Sequence, residues 1–222
     1  MSDYFERYKR RAGEPFGRRL RTNADDFYYR KLMESSNAQI IHIDGEEYQA
    51  RVAKGNRIED LEALFLPNTK LPLGGVVELN DNSTWLIFNT QKVGILPKAL
   101  LKRANYDLEW EKNGIKYKQP AKVQVYYTLD MYDIEAKTKM DMDVPKGGMF
   151  AYMQINDDTK TLQIDDTFVI QGQRYEISGM DNITHTIEGV GLCKYTLDIV
   201  VNAPDKETEN KEQDENKGGW WN

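Results

Sequence analysis

Short stretches in which apolar and polar residues alternate recur along most of this chain, separated by turn-forming residues about every ten positions. Alternation places every second side chain on the same face of a strand, so such segments form sheets that bury one face. The clearest case is residues 106–111, which lead into Asn113-Gly114, a dipeptide typical of two-residue hairpins. The chain is therefore predicted to be mainly β. We expect an antiparallel β-barrel or β-sandwich with a short N-terminal helix and extended terminal arms.

Two further hairpins are predicted upstream, one around Asp44-Gly45 and one around the polar turn at residues 80–83. Two other segments lack clear alternation. Residues 57–66 are predicted to form a short helix or a structured loop. Residues 96–106 are predicted to form a connector, with Pro97 in the first turn of a short helix.

Aromatic residues are frequent, with thirteen tyrosines and four tryptophans in 222 residues. Aromatic side chains favour strands and supply large apolar surfaces, so those on the predicted strands are expected to form the core. The predicted core aromatic residues are Trp85, Tyr106, Trp110, Phe168, Tyr175 and Tyr195.

The chain divides into four predicted regions, although the two β regions are equally compatible with one continuous β structure. A helix is expected from Asp26 to about Ser35, with Asn23 or Asp25 as its cap. The predicted regions are a basic arm and short helix (1–36), a small β-barrel-like subdomain (37–95), an antiparallel sandwich or barrel subdomain (96–203) and a disordered acidic tail (204–222).

The N-terminal arm is basic and the C-terminal tail is acidic, although the formal net charge of the whole chain is −6. Interpreted functionally, the N-terminal arm docks on an acidic partner or approaches nucleic-acid phosphates; the alternative is a solvated tail. The arm residues expected to bind partners are Arg7, Arg10, Arg11, Arg18, Arg19 and Arg21. At the other end, Trp220 and Trp221 follow a polar tether, which suits an aromatic anchor for a partner pocket. The alternative is a terminus without a role.

No catalytic or metal-binding signature occurs in the sequence. A single cysteine and two histidines are too few for a closed zinc site, and neither phosphate-binding glycine fingerprint is complete. Cys193 lies in a strand-like segment and is predicted to be a small buried apolar residue. There is no apolar run of membrane-spanning length and no secretory signal at the N-terminus, which favours assembly in the cytosol without membrane contact. The chain is expected not to be an enzyme and to need no cofactor.

Several of these segments together resemble a known group of proteins. Thr84-Trp-Leu-Ile is followed by Ala104-Asn-Tyr-Asp-Leu-Glu-Trp, then by Asp166-Thr-Phe-Val-Ile and Gly189-Val-Gly-Leu-Cys-Lys-Tyr-Thr-Leu. This arrangement, over residues 25–202, resembles structural proteins encoded in the head-to-tail gene region of tailed phages and prophages of Gram-positive bacteria. Its motifs are structural, so no catalytic residue is carried over. The basic arm and the Trp-Trp terminus lie outside the resemblance.

The resemblance implies a virion component near the neck, a head-closure, connector or stopper-like protein. Such a protein would form a homo-oligomeric ring, dock portal and tail proteins, and contact packaged DNA. Positions in a capsid decoration or a tail baseplate remain open within this class. From the residues alone, a second hypothesis is a single-stranded nucleic-acid-binding β-barrel whose acidic tail recruits partners. A glycosidase using paired carboxylates is a third, with little support because acidic residues are so numerous.

Overall fold

The fold was obtained as a computed structural model, which describes residue 4 and residues 16–57, 59–93, 95–125 and 147–200. The helix α1 (Phe16–Met33) precedes two groups of six strands. The first group is β1 (Ala38–Ile43), β2 (Glu46–Lys54), β3 (Asp60–Phe65), β4 (Val76–Glu78), β5 (Thr84–Val93) and β6 (Leu96–Arg103). The second group is β7 (Tyr106–Lys112), β8 (Ile115–Val125), β9 (Met149–Gln154), β10 (Thr167–Ile170), β11 (Gln173–Ile187) and β12 (Val190–Ile199).

The first six strands form a closed antiparallel barrel in the order β1-β2-β3-β6-β5-β4. Pairing of β1 with β4, through His42 opposite Glu78, closes it. The interior is filled by alternate residues of each strand, among them Ile41, Phe65 and Leu101, which are fully buried. Each of these alternates with a more exposed neighbour, as the period of two requires.

The second six strands form an antiparallel sheet in the order β10-β11-β12-β9-β8-β7. Side chains connect its two edge strands: Trp110 on β7 packs edge-on against Phe168 on β10, with 6.2 Å between ring centroids. The Gln171 amide, just after β10, donates to the Tyr106 hydroxyl oxygen at 3.3 Å. The sheet is therefore barrel-like, and the predicted mainly β antiparallel fold with a short N-terminal helix is confirmed.

Five of the six predicted core aromatic side chains are buried, and Tyr106 is partly buried against the core of the second sheet. Trp85 lies in the barrel, where its indole N–H donates to the Ser83 hydroxyl at 2.7 Å. Tyr195 is almost completely buried in the second sheet. Cys193 on the same strand is also buried, as predicted, and burial raises the pKa of its thiol.

Two-residue turns join the strands of four hairpins, and both residues of each turn have positive φ, as the tight turns of twisted hairpins require. Asp44-Gly45 and Asn113-Gly114 are in the predicted positions. The other two pairs are Gln171-Gly172 and Glu188-Gly189. In each pair glycine takes the second position, where it adopts this conformation without steric cost.

Helix α1 begins ten residues earlier than the helix predicted from Asp26, so it includes part of the segment interpreted as an arm. Leu32 is the only buried residue among those of its side chains that the structure describes. Phe27, Tyr29 and Met33 are exposed. Among its described side chains, the helix thus leaves these three apolar groups uncovered by the rest of the described chain.

Two segments that were not predicted as strands belong to the barrel. Residues 60–65 form β3, with Ala63 and Phe65 facing inward, although their composition also suits a helix. Residues 96–103 form β6, where Pro97, Ala99 and Leu101 are buried at alternate positions. The predicted helix at Pro97 is therefore wrong, because burial inside the barrel outweighs local helix propensity. Since β6 is a barrel strand, the two sheets separate between residues 103 and 106, not at residue 96.

The barrel and the second sheet pack against each other through an apolar cluster. Leu86 and Phe88 on β5 and Leu192 on β12 are buried in it. The other face of β5 points into the barrel, so residues 85–88 are all buried. At one border of this contact, Asp44 accepts hydrogen bonds from the Val76 amide at 2.9 Å and from the Gln154 side-chain amide at 3.0 Å.

Candidate binding cleft

A cleft of about 1180 Å³ lies where the barrel meets the second sheet. Both sheets line it: β5 and β6 contribute Phe88 and Lys102, and the second sheet contributes Lys122, Tyr152 and Lys194. A smaller adjoining pocket of about 420 Å³ shares Lys102 with it. We call the larger pocket the inter-sheet cleft.

Strand register places a row of functional side chains on the cleft face of the second sheet. Tyr152 on β9 lies directly opposite Lys122 on β8 and Lys194 on β12. Directly opposed residues in a sheet point to the same face. Their sequence neighbours Ala151 and Cys193 point to the opposite face and are buried in the core. The alternation that builds the core therefore also builds this face of the cleft.

Phe88, the aromatic residue that the barrel contributes to the cleft, lies at a β-bulge. The pairing of β5 with β6 shifts between Ile87 and Asn89, so Phe88 is the extra residue. Its ring contacts those of Tyr152 and His185, with centroid distances of 5.1 and 5.8 Å. Tyr152 and His185 are themselves 5.5 Å apart, so the three rings form one cluster. The cluster provides an aromatic wall at the cleft.

The cleft is richer in cations than in carboxylates. Its lining includes Arg57, Lys102, Lys122 and Lys194, a total of four cations against Glu59 and Asp60. This surplus contrasts with the formal net charge of −6 for the whole chain.

The lysines differ in their surroundings. Lys122 donates to Glu59 at 3.0 Å, and this hydrogen bond is the main cause that lowers the pKa of the Glu59 carboxyl. The ammonium groups of Lys102 and Lys194 lie over the rings of Phe88 and Phe150, at 4.9 and 3.8 Å from the ring centroids. Within the described part of the chain, these two lysines form no ion pair. The charge of Lys102 acts on the Glu59 carboxylate, and that of Lys194 acts on Asp181, which lies directly opposite it.

His185 is half-buried in the aromatic cluster. Desolvation by burial lowers its pKa, and the nearby positive charges of Lys102 and Lys194 act in the same direction, whereas Asp181 opposes them. The lowered pKa favours the neutral imidazole, whose ring packs in the aromatic cluster. The other histidine, His42, lies outside the cleft, 3.7 Å from Glu47 on the neighbouring strand.

Asp181 stabilises the irregular part of β11 beside the cleft. Its carboxylate accepts hydrogen bonds from the amides of Ile183 and Thr184, both at 3.0 Å, and from the Thr184 hydroxyl at 2.6 Å. These bonds lower the pKa of Asp181 to about 2. This local turn occupies the register shift between Asp181 and His185, and thereby positions the imidazole.

None of the partner-binding residues predicted from the sequence is among the described residues that line this cleft. Arg18, Arg19 and Arg21 belong to α1, but their side chains are outside the described residues. Arg7, Arg10 and Arg11 in the arm and the terminal pair Trp220 and Trp221 also lie outside the described residues. The described residues contain no cluster of three or more side chains that could hold a metal ion. They also contain no helix with the length and apolar character to cross a membrane.

Comparison with known families finds a match to the second sheet. Residues 106–198 match the YomX C-terminal domain. This segment begins with β7 and ends one residue before the end of β12, so the YomX C-terminal domain corresponds to the second sheet. YomX is a phage-region protein name, and the match suggests a phage-associated protein. No curated protein and no solved structure matches the chain.

Proposed function

We propose that this chain is a structural virion protein of a tailed phage that assembles as a homo-oligomeric ring at the head-tail interface. In this role it docks portal and tail proteins, contacts packaged DNA and catalyses no reaction. The observation that carries the proposal is the match of its second sheet with a domain named after a phage-region protein. The arrangement of motifs over residues 25–202 also resembles proteins of the head-to-tail gene region, which implies a position near the neck.

Exposed apolar side chains support assembly as the mode of action. On α1, Phe27 is 50% exposed, and Tyr29 and Met33 are exposed beside it. Helices in proteins gain most of their stability from packing of an apolar face, so covering these side chains in an assembly would stabilise α1. We infer that α1 packs against a neighbouring subunit.

The β11–β12 hairpin offers a second contact surface. Ile187 and Val190 are directly opposite each other at its end, and both are exposed. Ile183, in the irregular part of β11, is 80% exposed. Apolar groups at the end of a long hairpin are suited to insertion against a second protein, because they reach beyond the sheet that positions them.

Sedimentation velocity of the full chain tests assembly. We expect species larger than a monomer, and a shift towards monomer in the double variant Phe27→Ser/Tyr29→Ser, which removes apolar area from α1. Ile115→Ser is the matched control, because Ile115 is an exposed apolar residue on the β7–β8 hairpin. A monomeric full chain that binds neither portal nor tail protein would contradict the proposal.

A further inference from the structure

The inter-sheet cleft combines two kinds of group that come from separate parts of the chain. Lys102 and Lys194 present ammonium groups without an ion-pair partner in the described residues, and Lys122 is held nearby with only 12% of its side chain exposed. Tyr152 and His185 supply aromatic rings next to these cations. A ligand that matches both must carry negative charges and flat apolar groups at short intervals.

Single-stranded nucleic acid has this combination. Its phosphates are attracted to lysines in a groove, and its unpaired bases stack on aromatic side chains. Polar side chains at the cleft wall, including Gln124 and Gln173, can form hydrogen bonds with base edges. A duplex matches less well, because its paired and stacked bases cannot reach recessed aromatic rings.

We propose that the inter-sheet cleft binds single-stranded nucleic acid, with phosphates beside Lys102 and Lys194 and bases against Tyr152 and His185. This function goes beyond ring assembly and does not depend on it. A cleft of about 1180 Å³ exceeds the usual volume of a site for one small molecule, so it accommodates a short stretch of a polymer.

Fluorescence anisotropy with a labelled oligothymidine and the full chain tests the proposal. Binding should weaken as salt increases, because bound lysines release counterions from the strand. Lys102→Gln and Lys194→Gln should each weaken binding and reduce the slope of log affinity against log salt by about 0.7. Lys118→Gln is the matched control, because Lys118 is an exposed lysine on β8 that does not line the cleft. Lys118→Gln should leave both the affinity and the slope of log affinity against log salt unchanged.

The aromatic contribution is measured separately with Tyr152→Leu, which keeps apolar volume at the contact between the sheets. Affinity should fall on the order of tenfold, with the salt slope unchanged, because stacking on a base does not involve a counterion. His185→Leu should have the same effect and does not alter Tyr152. Thermal unfolding of each variant establishes that it is folded at the assay temperature.

Four results would overturn the proposal. The first is that the cleft lysine variants bind as tightly as the parent chain while replacement of the six arm arginines abolishes binding. The second is tighter binding to a duplex of equal length. The third is that the chain binds an acidic peptide with the sequence of residues 204–222 but not the oligonucleotide. A mononucleotide that competes as well as the oligonucleotide would assign the site to free nucleotides and also exclude a polymer.

Discussion

Gly74 offers a direct test of how the barrel and the second sheet meet. It precedes β4 with φ of +80°, and its amide donates to the Ile87 carbonyl at 2.9 Å. A Cβ atom at this position would overlap the backbone carbonyl of Gly191 in the second sheet. Gly74→Ala should therefore destabilise the protein in two ways, by strain in its own backbone and by pushing the two sheets apart.

The expected loss of unfolding free energy in Gly74→Ala is the sum of these two effects. A left-handed conformation costs a non-glycine residue about 1–2 kcal/mol. Overlap in a well-packed contact adds about 1–3 kcal/mol, because neither backbone can move without disturbing its sheet. The expected loss is about 2–5 kcal/mol, a large part of the typical stability of a folded protein.

Gly189→Ala is the matched control. Gly189 has the same φ of +80°, but no atom lies within 4 Å of the position its Cβ would take. It should lose only the strain, about 1–2 kcal/mol. Urea unfolding followed by far-ultraviolet circular dichroism gives both free energies of unfolding. Equal losses in the two variants would refute the close approach of Gly74 to Gly191.

Three further predictions concern single side chains. The pKa of Asp181 is lowered from 3.8 to about 2, so the hydrogen bonds of its carboxylate stabilise the fold above pH 4 and are lost as the pH falls through 2. The difference in unfolding free energy between the parent chain and Asp181→Asn should therefore shrink between pH 4 and pH 2, which urea unfolding at several pH values measures. Cys193 is buried and its thiol pKa is raised, so a thiol reagent should label it rapidly only after denaturation; fast labelling of the native chain would contradict its burial. Lys112 donates to both Asp166 oxygens at 2.8 Å between the edge strands, so Lys112→Met should cost about 1–3 kcal/mol in urea unfolding, and an unchanged midpoint would show that this ion pair does not stabilise the sheet.

Local sequence signals were sufficient for two of the four two-residue hairpins. Asp44-Gly45 and Asn113-Gly114 adopt positive φ at both positions, and the alternating residues on either side pair in the predicted direction. Long-range burial determined the segments that were missed. Residues 60–65 and 96–103 both contain leucine and alanine, which favour helices, yet their alternate residues fill the barrel interior.

The cleft could not be predicted from the sequence, for a different reason. Lys102, Lys122 and Lys194 are far apart along the chain, and each follows an ordinary strand pattern. They converge only because β12 pairs with β9, β9 pairs with β8, and the barrel packs against that sheet. The one local signal was that these lysines alternate with core residues along their strands. This alternation indicates that the face of each strand opposite the core is also partly covered.

The proposed role in the virion is tested most directly by mass spectrometry of purified particles of a phage whose genome encodes this chain. The account predicts that its peptides copurify with intact virions in an amount comparable to that of the portal protein. Imaging of the same particles should place the chain in a ring between head and tail. If infected cells produce the chain but purified virions lack it, the chain is not a structural component, and the proposed function is wrong.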